Sequence, residues 1–326
     1  MKRFQNHIAE SRFAFPVTLV PCMSVWLLSD TDIPTFAALL VAAIIMVELN
    51  NSNVLLRIYS RMVSCCFLVL MTMATTLSGE LETKVSALSF AFFLYAIFHT
   101  YQDRHATGWV FYAFLSLAAD SMVFPQILFF VPLLWILMAT RLISMTIKTF
   151  VASILGLITP YIFAAAYHLY TSHLPSLALD ISSFTFQLTV PTLTIKQVIL
   201  LVYVLLCTII GTIHYLRTRQ QDRIKTQLLY EMIITINIVA ILFLALQPQH
   251  FNSLIGIIIV CTSPLIAHFV ALTNTKWTNL LTKLLLLLAV GITLCALLAP
   301  TISPSILKPF NSSILQFFSW TPSLNF

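Results

Sequence analysis

The run KLLLLLAVGITLCALL (residues 283–298) carries a single charge, at its first position. Similar runs recur along the whole chain. Each approaches the roughly 20 residues that a helix needs to cross a bilayer. That feature constrains the fold more than any other. Hydrocarbon offers no hydrogen bonds, so only helices or closed barrels can span it. Barrel strands read as alternating segments of about ten residues, whereas the runs here are continuous. Of the 326 residues, 59% are hydrophobic and 9% charged, against roughly 25% charged in a soluble domain. Such a chain cannot clothe its surface with polar groups in water. The expected class is all-α, a polytopic helical membrane protein.

Hydrophobic periodicity and breakers divide the chain into about eleven spans. They cover residues 13–29, 34–49, 62–78, 86–101, 108–122, 125–140, 149–170, 198–216, 230–246, 254–272 and 278–298. The fifth and sixth form a short hairpin. With the N-terminus inside and the C-terminus outside, 14 of the 17 basic residues fall in inner loops. Lys84, Lys196 and Lys308 fall outside. This is the bias that orients membrane proteins, and it supports both the orientation and the span count. A net charge of +6 is thereby explained by topology, so no nucleic-acid partner is expected. Residues 1–326 are read as one membrane domain. Segments 171–196 and 299–326 suit the interface, the latter through Phe317, Phe318 and Trp320. The N-terminal segment lacks a small-residue cleavage site and is read as a retained first helix.

All six cysteines lie within apolar runs and none shows C-x-x-C spacing. They read as small apolar side chains. The histidines show no H-x-x-x-H pattern and divide between the two membrane faces. His214 falls at the inner side and His268 within the tenth span. No metal and no cofactor are expected. Phosphate-loop, nucleophile-elbow and dinucleotide motifs are absent from the sequence.

Ionisable groups at membrane depth are costly and mark sites by default. Asp30 and Asp32, in WLLSDTDIPTFAALL, can chelate a cation or serve as a base. They can equally end one helix and cap the next, which Pro34 opens. Asp120, in the fifth–sixth hairpin, either lines an outward cavity or caps the helix at Pro125. Arg57 and Arg61 stand four apart and are read as sharing a helix face. Such a face suits lipid phosphate or polyprenyl phosphate, because guanidinium binds phosphate in bidentate fashion. Arg141 is a third candidate near a lipid path. The loop RTRQQDRIK (residues 217–225) is expected to meet anionic headgroups, with Glu231 pairing one of its cations.

The block YQDRHATGWVFYAFLSLAADSMVFPQILFFVPLLWILMATRLISMTIKTFVASILGLITPYIF (residues 101–163) resembles an uncharacterised family of polytopic inner-membrane proteins of Bacteroidetes. The segment NNSNVLLRIYSRMVSCCFLVLMT fits the same family. The block is also distantly similar to type C glycosyltransferases, which use polyprenyl-phosphate-linked sugars. That similarity implies catalytic acids in the first outer loop, where Asp30 and Asp32 stand. In that class the loop is long, whereas about four residues join the first two spans here.

Three functional expectations follow. The first is a non-enzymatic component of the envelope, with an apolar lateral surface and other envelope proteins as partners. The second is a type C-like enzyme or polymerase, with Asp30, Asp32 and Asp120 lining one outward cavity. The third is a small-solute or lipid transporter, with a central polar path.

Overall fold

The computed structural model describes residues 11, 13–29, 32–170, 193–273 and 275–298. Asp30, most of segment 171–196 and all of segment 299–326 lie outside the described residues. Among the described residues every regular element is helical. We number the helices α1 (Ala14–Leu28), α2 (Ile33–Asn53), α3 (Met62–Leu77), α4 (Leu81–Phe98) and α5 (Thr107–Ser121). There follow α6 (Pro125–Leu142), α7 (Ile147–Tyr170), α8 (Ile195–Thr218), α9 (Ile224–Leu246), α10 (Phe251–Leu272) and α11 (Lys276–Leu298). Eight of these are long and apolar enough to cross a membrane: α2, α4 and α6 to α11. Helices α1 and α3 are apolar but shorter. The chain is a helical, multi-pass membrane protein.

Local chemistry explains the boundaries. Pro34 sits in the first turn of α2, where its missing N–H costs nothing. Thr194 and Gln197 form a reciprocal capping box at the start of α8, satisfying two orphan donors. Helix α2 ends at Val54, which is left-handed (φ 49°). The most irregular element is α6. It opens as a 3-10 helix at Pro125–Phe130 and closes as a π-turn at Met138–Leu142, ending at left-handed Ile143. The second arm of the short hairpin expected from the sequence is thus a run of three helix types.

Helix α10 is the axis of the bundle. It packs against α3, α4, α8 and α9, and nearly all of its side chains are buried. Two glycines allow its close approach to neighbours. A Cβ on Gly211 of α8 would lie 2.6 Å from the Leu265 backbone of α10. A Cβ on Gly256 of α10 would lie 2.5 Å from the Thr83 carbonyl oxygen of α4. The lipid-facing sides carry bare apolar side chains, such as Leu287 on α11 and Phe163 on α7. This is what a bilayer solvent permits.

Successive helices alternate direction, so the bundle has two ends. Helices α3, α9 and α11 begin, and α2, α8 and α10 finish, at one of them. Among the described cations only Lys84 and Lys196 belong to the opposite end. We call the first the basic end.

Candidate functional site

Several ionisable side chains of the basic end converge where the loop 54–61, the α8–α9 turn and the end of α10 meet. Asn50 shapes the loop. Its Nδ2 donates to the Ser60 carbonyl at 2.7 Å, and its Oδ1 accepts from the Leu56 N–H at 3.3 Å. Residues 54–61 are therefore non-helical. This corrects the expectation that Arg57 and Arg61 share a helix face: left-handed Val54 ends α2, and α3 begins only at Met62. The two arginines consequently meet different neighbours.

Arg57 turns to the α8–α9 junction. Its Nε lies 2.8 Å from Asp222 Oδ1, and its Nη1 donates to Gln221 Oε1 at 2.8 Å. The Asp222 side chain is fully buried, and its Oδ2 lies 3.2 Å from Nε2 of His268, also fully buried. His268 Nδ1 in turn lies 3.2 Å from His214 Nδ1, and His214 is half-buried. A continuous chain of polar contacts thus runs Arg57–Asp222–His268–His214.

Tyrosine rings wall the chain off. Tyr215 and Tyr230 stack at 4.7 Å between centroids, and each presents an edge to His268. Both hydroxyls are spent on carbonyls. Tyr215 donates to Gln227 O and Tyr230 to Pro264 O, at 3.1 and 3.3 Å. Burying a carboxylate is tolerable only when it is paired; Arg57 supplies the ion pair at Oδ1 and His268 the hydrogen bond at Oδ2, while Oδ1 itself has no aligned donor.

A second ionic group stands beside it. Glu231 of α9 pairs with Arg219 from the α8–α9 turn and with Arg141 from the π-turn of α6. The π-turn brings Arg141 to α9, in keeping with the habit of such turns of serving specific contacts. Glu231 pairs with a cation of the 217–225 loop, as expected from the sequence. Asp222, from the same loop, points into the protein instead.

Arg61 is the exception among the three candidate arginines. Among the described residues it forms no ion pair. Its Nη2 reaches only the Tyr59 hydroxyl, at 3.4 Å, and its Nε has no hydrogen-bond partner. Met62, the residue after it, lines an apolar crevice of about 520 Å³. Helices α1, α3, α8, α10 and α11 line it, with Met62, Cys65, Cys66, Tyr203, Cys207 and Leu285 among the side chains. The thiols are free and behave as the small apolar groups expected. The walls are predominantly apolar. The Tyr203 hydroxyl is engaged by the Leu285 carbonyl at 3.1 Å.

The outer-side acids lie at the opposite end. Asp32 is exposed at the N-cap position of α2, but its side chain accepts no capping bond. It lines a cavity of about 120 Å³ with Thr35, Thr75, Gly79 and Lys84. Asp120 is not part of that lining. It is fully buried near the end of α5, where Oδ1 accepts from Ser86 Oγ of α4 at 2.9 Å and Oδ2 has no partner. Its side chain does not cap the helix at Pro125. The turn there is closed by its backbone carbonyl, which accepts from Val123 and Phe124. Asp32 and Asp120 therefore have separate surroundings.

Sequence reasoning missed the Asp222–His268–His214 chain, since 46 residues separate the first pair in sequence and 54 the second. Two signals pointed to it: a histidine inside an apolar span, and a lone acid in a basic loop. No group of three or more potential metal ligands occurs among the described residues. No family model, no curated protein and no solved structure matches the chain.

Proposed function

We propose that this chain is a non-enzymatic, lipid-binding component of the bacterial cytoplasmic membrane. It crosses eleven times, with its N-terminus inside and the basic end at the cytoplasmic face. Its ligand is an anionic lipid of the polyprenyl phosphate class, whose chain lies in the crevice and whose phosphate meets Arg61. One observation carries this reading. Arg57, Arg141 and Arg219 are matched to acids within the chain, while Arg61 is left with a tyrosine and directly precedes Met62, which lines an apolar crevice. The crevice falls within the ~300–1,000 Å³ range of small-molecule sites. A guanidinium lacking a carboxylate is a ready partner for phosphate.

The type C-like reading needs outer acids that share one cavity, and Asp32 and Asp120 have separate surroundings. The transporter reading needs a polar path, whereas residues 254–261 of the central helix are apolar apart from Gly256. These observations favour a binding component over either alternative.

The test is lipid retention by the purified protein in nanodiscs, read by native mass spectrometry. Long-chain polyprenyl phosphate, phosphatidylglycerol and phosphatidylcholine are offered in competition. Polyprenyl phosphate is expected to be kept preferentially. Arg61→Ala should weaken it about tenfold, or about 1.4 kcal/mol. Val69→Trp should fill the crevice and abolish retention. Unchanged retention in both variants would overturn the reading.

A further inference from the structure

We propose that His214 and His268 form a single proton-binding site, loaded through His214 and read at Asp222. The argument starts from the carboxylate. Asp222 is committed to Arg57 through Oδ1, and its Oδ2 faces His268 Nε2 at 3.2 Å. A carboxylate only accepts, so His268 must carry its proton on Nε2. In a neutral ring that leaves Nδ1 as an acceptor. The atom facing it at 3.2 Å is the Nδ1 of His214. Two bare nitrogens would repel, so His214 must donate its Nδ1–H. Its Nε2 is then an unprotonated acceptor on the half-buried ring. The geometry thereby fixes opposite tautomers on the two rings, and His214 holds the one less common in water.

Uptake of a proton follows from the same contacts. A proton from water adds to His214 Nε2. The Nδ1 proton of His214 crosses to His268 Nδ1. His214 ends neutral, with its proton now on Nε2. His268 ends as the cation, with Nε2–H against Asp222 and Nδ1–H against His214. No bond to carbon changes, and one proton is gained overall. The positive charge comes to rest in the buried position, where a carboxylate already stands.

The remaining surroundings permit this. Arg57 from the 54–61 loop and Asp222 from the α8–α9 turn are the charged groups acting on His214. Tyr215 from α8 and Tyr230 from α9 flank His268, with their hydroxyls on carbonyls. Phe269 packs edge-on against His214. Arg219 and Glu231 act on Tyr215 and are paired with each other. No second carboxylate therefore competes for the proton at the histidine pair among the described residues. This site is independent of the lipid crevice.

The test is imidazole nitrogen NMR of the full chain, labelled at histidine and reconstituted in lipid bilayers. His214→Gln and His268→Gln assign the two rings. At alkaline pH, His214 is expected with its proton on Nδ1 and His268 with its proton on Nε2. On acidification the pair should gain one proton together, with the doubly protonated ring at His268. His268→Gln should return His214 to the common Nε2–H form. The proposal fails if both rings show the Nε2–H form, or if they take up two protons separately.

Discussion

At the residue scale, burial separates ion pairs that matter from those that decorate. Asp222 is wholly buried, and Arg57 keeps 33% of its side chain exposed. Removing one partner of a buried pair costs roughly 3–5 kcal/mol, because the other charge is stranded. Asp222→Ala strands both Arg57 and the polar Nε2 of His268, so a loss of that order is expected. Arg57→Ala should cost less than Asp222→Ala, since His268 still contacts the carboxylate. Glu231→Gln belongs to another class. Its partners Arg141 and Arg219 are 42% and 44% exposed, and exposed pairs yield roughly 0–1 kcal/mol each. Denaturation of the three variants in one detergent would check the order. An Asp222→Ala variant as stable as Glu231→Gln would show that the buried chain is not structural.

Single positions were also the least legible in the sequence. Arg57, Arg61 and Arg141 are visible as candidates, yet nothing local says which of them has an acid waiting 165 or 90 residues away. Asp222 sits among four cations and reads as solvated, although its carboxylate is buried. Asp120 reads as a turn residue, yet it is an acid wedged between α4 and α5 with one oxygen unmatched. The ambiguity is physical, because the partner of a buried polar group is chosen by tertiary packing and not by its neighbours in sequence.

At the scale of elements the sequence is much more explicit. Hydrocarbon forces each apolar run to satisfy its own backbone, which makes every run a helix. The expected runs therefore coincide with helices α1 to α11 of the described residues to within a few residues at most ends, eight of them long and apolar enough to cross a membrane. Larger departures arise where polar residues continue a helix beyond its apolar part. Helix α2 runs on through Asn50–Asn53, and α9 begins six residues earlier than read, at Ile224. The π-turn in α6 left no local mark. How the helices meet was legible only in part, through glycine. Of the six glycines, Gly156, Gly211 and Gly256 stand where backbones touch, whereas a Cβ on Gly291 of α11 would meet nothing within 4 Å. Gly211→Ala and Gly256→Ala should each destabilise by about 1–3 kcal/mol, the usual cost of overpacking. Gly291→Ala should be neutral or stabilising by up to about 1 kcal/mol through helix propensity. Thermal unfolding of the three variants reads this directly. Equal shifts in all three would mean that α10 is not closely packed against α8 and α4.

At the scale of the whole molecule, the two polar ends are joined by a dry axis. On α10, Ser253 belongs to the far end, where its hydroxyl donates to Glu82 at 3.2 Å. The next polar side chain along the helix is Thr262, tied to Thr208 of α8 at 2.8 Å and to Asn237 of α9 at 3.2 Å. Between them run LIGIIIVC, all buried. The nine steps of 1.5 Å from Ser253 to Thr262 make about 13 Å of helix with no polar side chain between them. A proton taken up at the basic end therefore has no continuing chain of donors and acceptors along this helix. Proteoliposomes under an imposed pH gradient should leak protons no faster than protein-free vesicles, and His214→Gln should change nothing in that leak. Faster dissipation by the wild-type protein would sink this view and revive a transporter. If the leak stays at background while the histidine pair still titrates, the site is a terminus for the proton, open to one side of the membrane only. Side can then be assigned with single-cysteine variants in a background without the native thiols. Lys196→Cys should react with an impermeant maleimide in intact cells, whereas Gln220→Cys should react only after permeabilisation. The reverse labelling would place the basic end outside and overturn the orientation drawn from the charge bias.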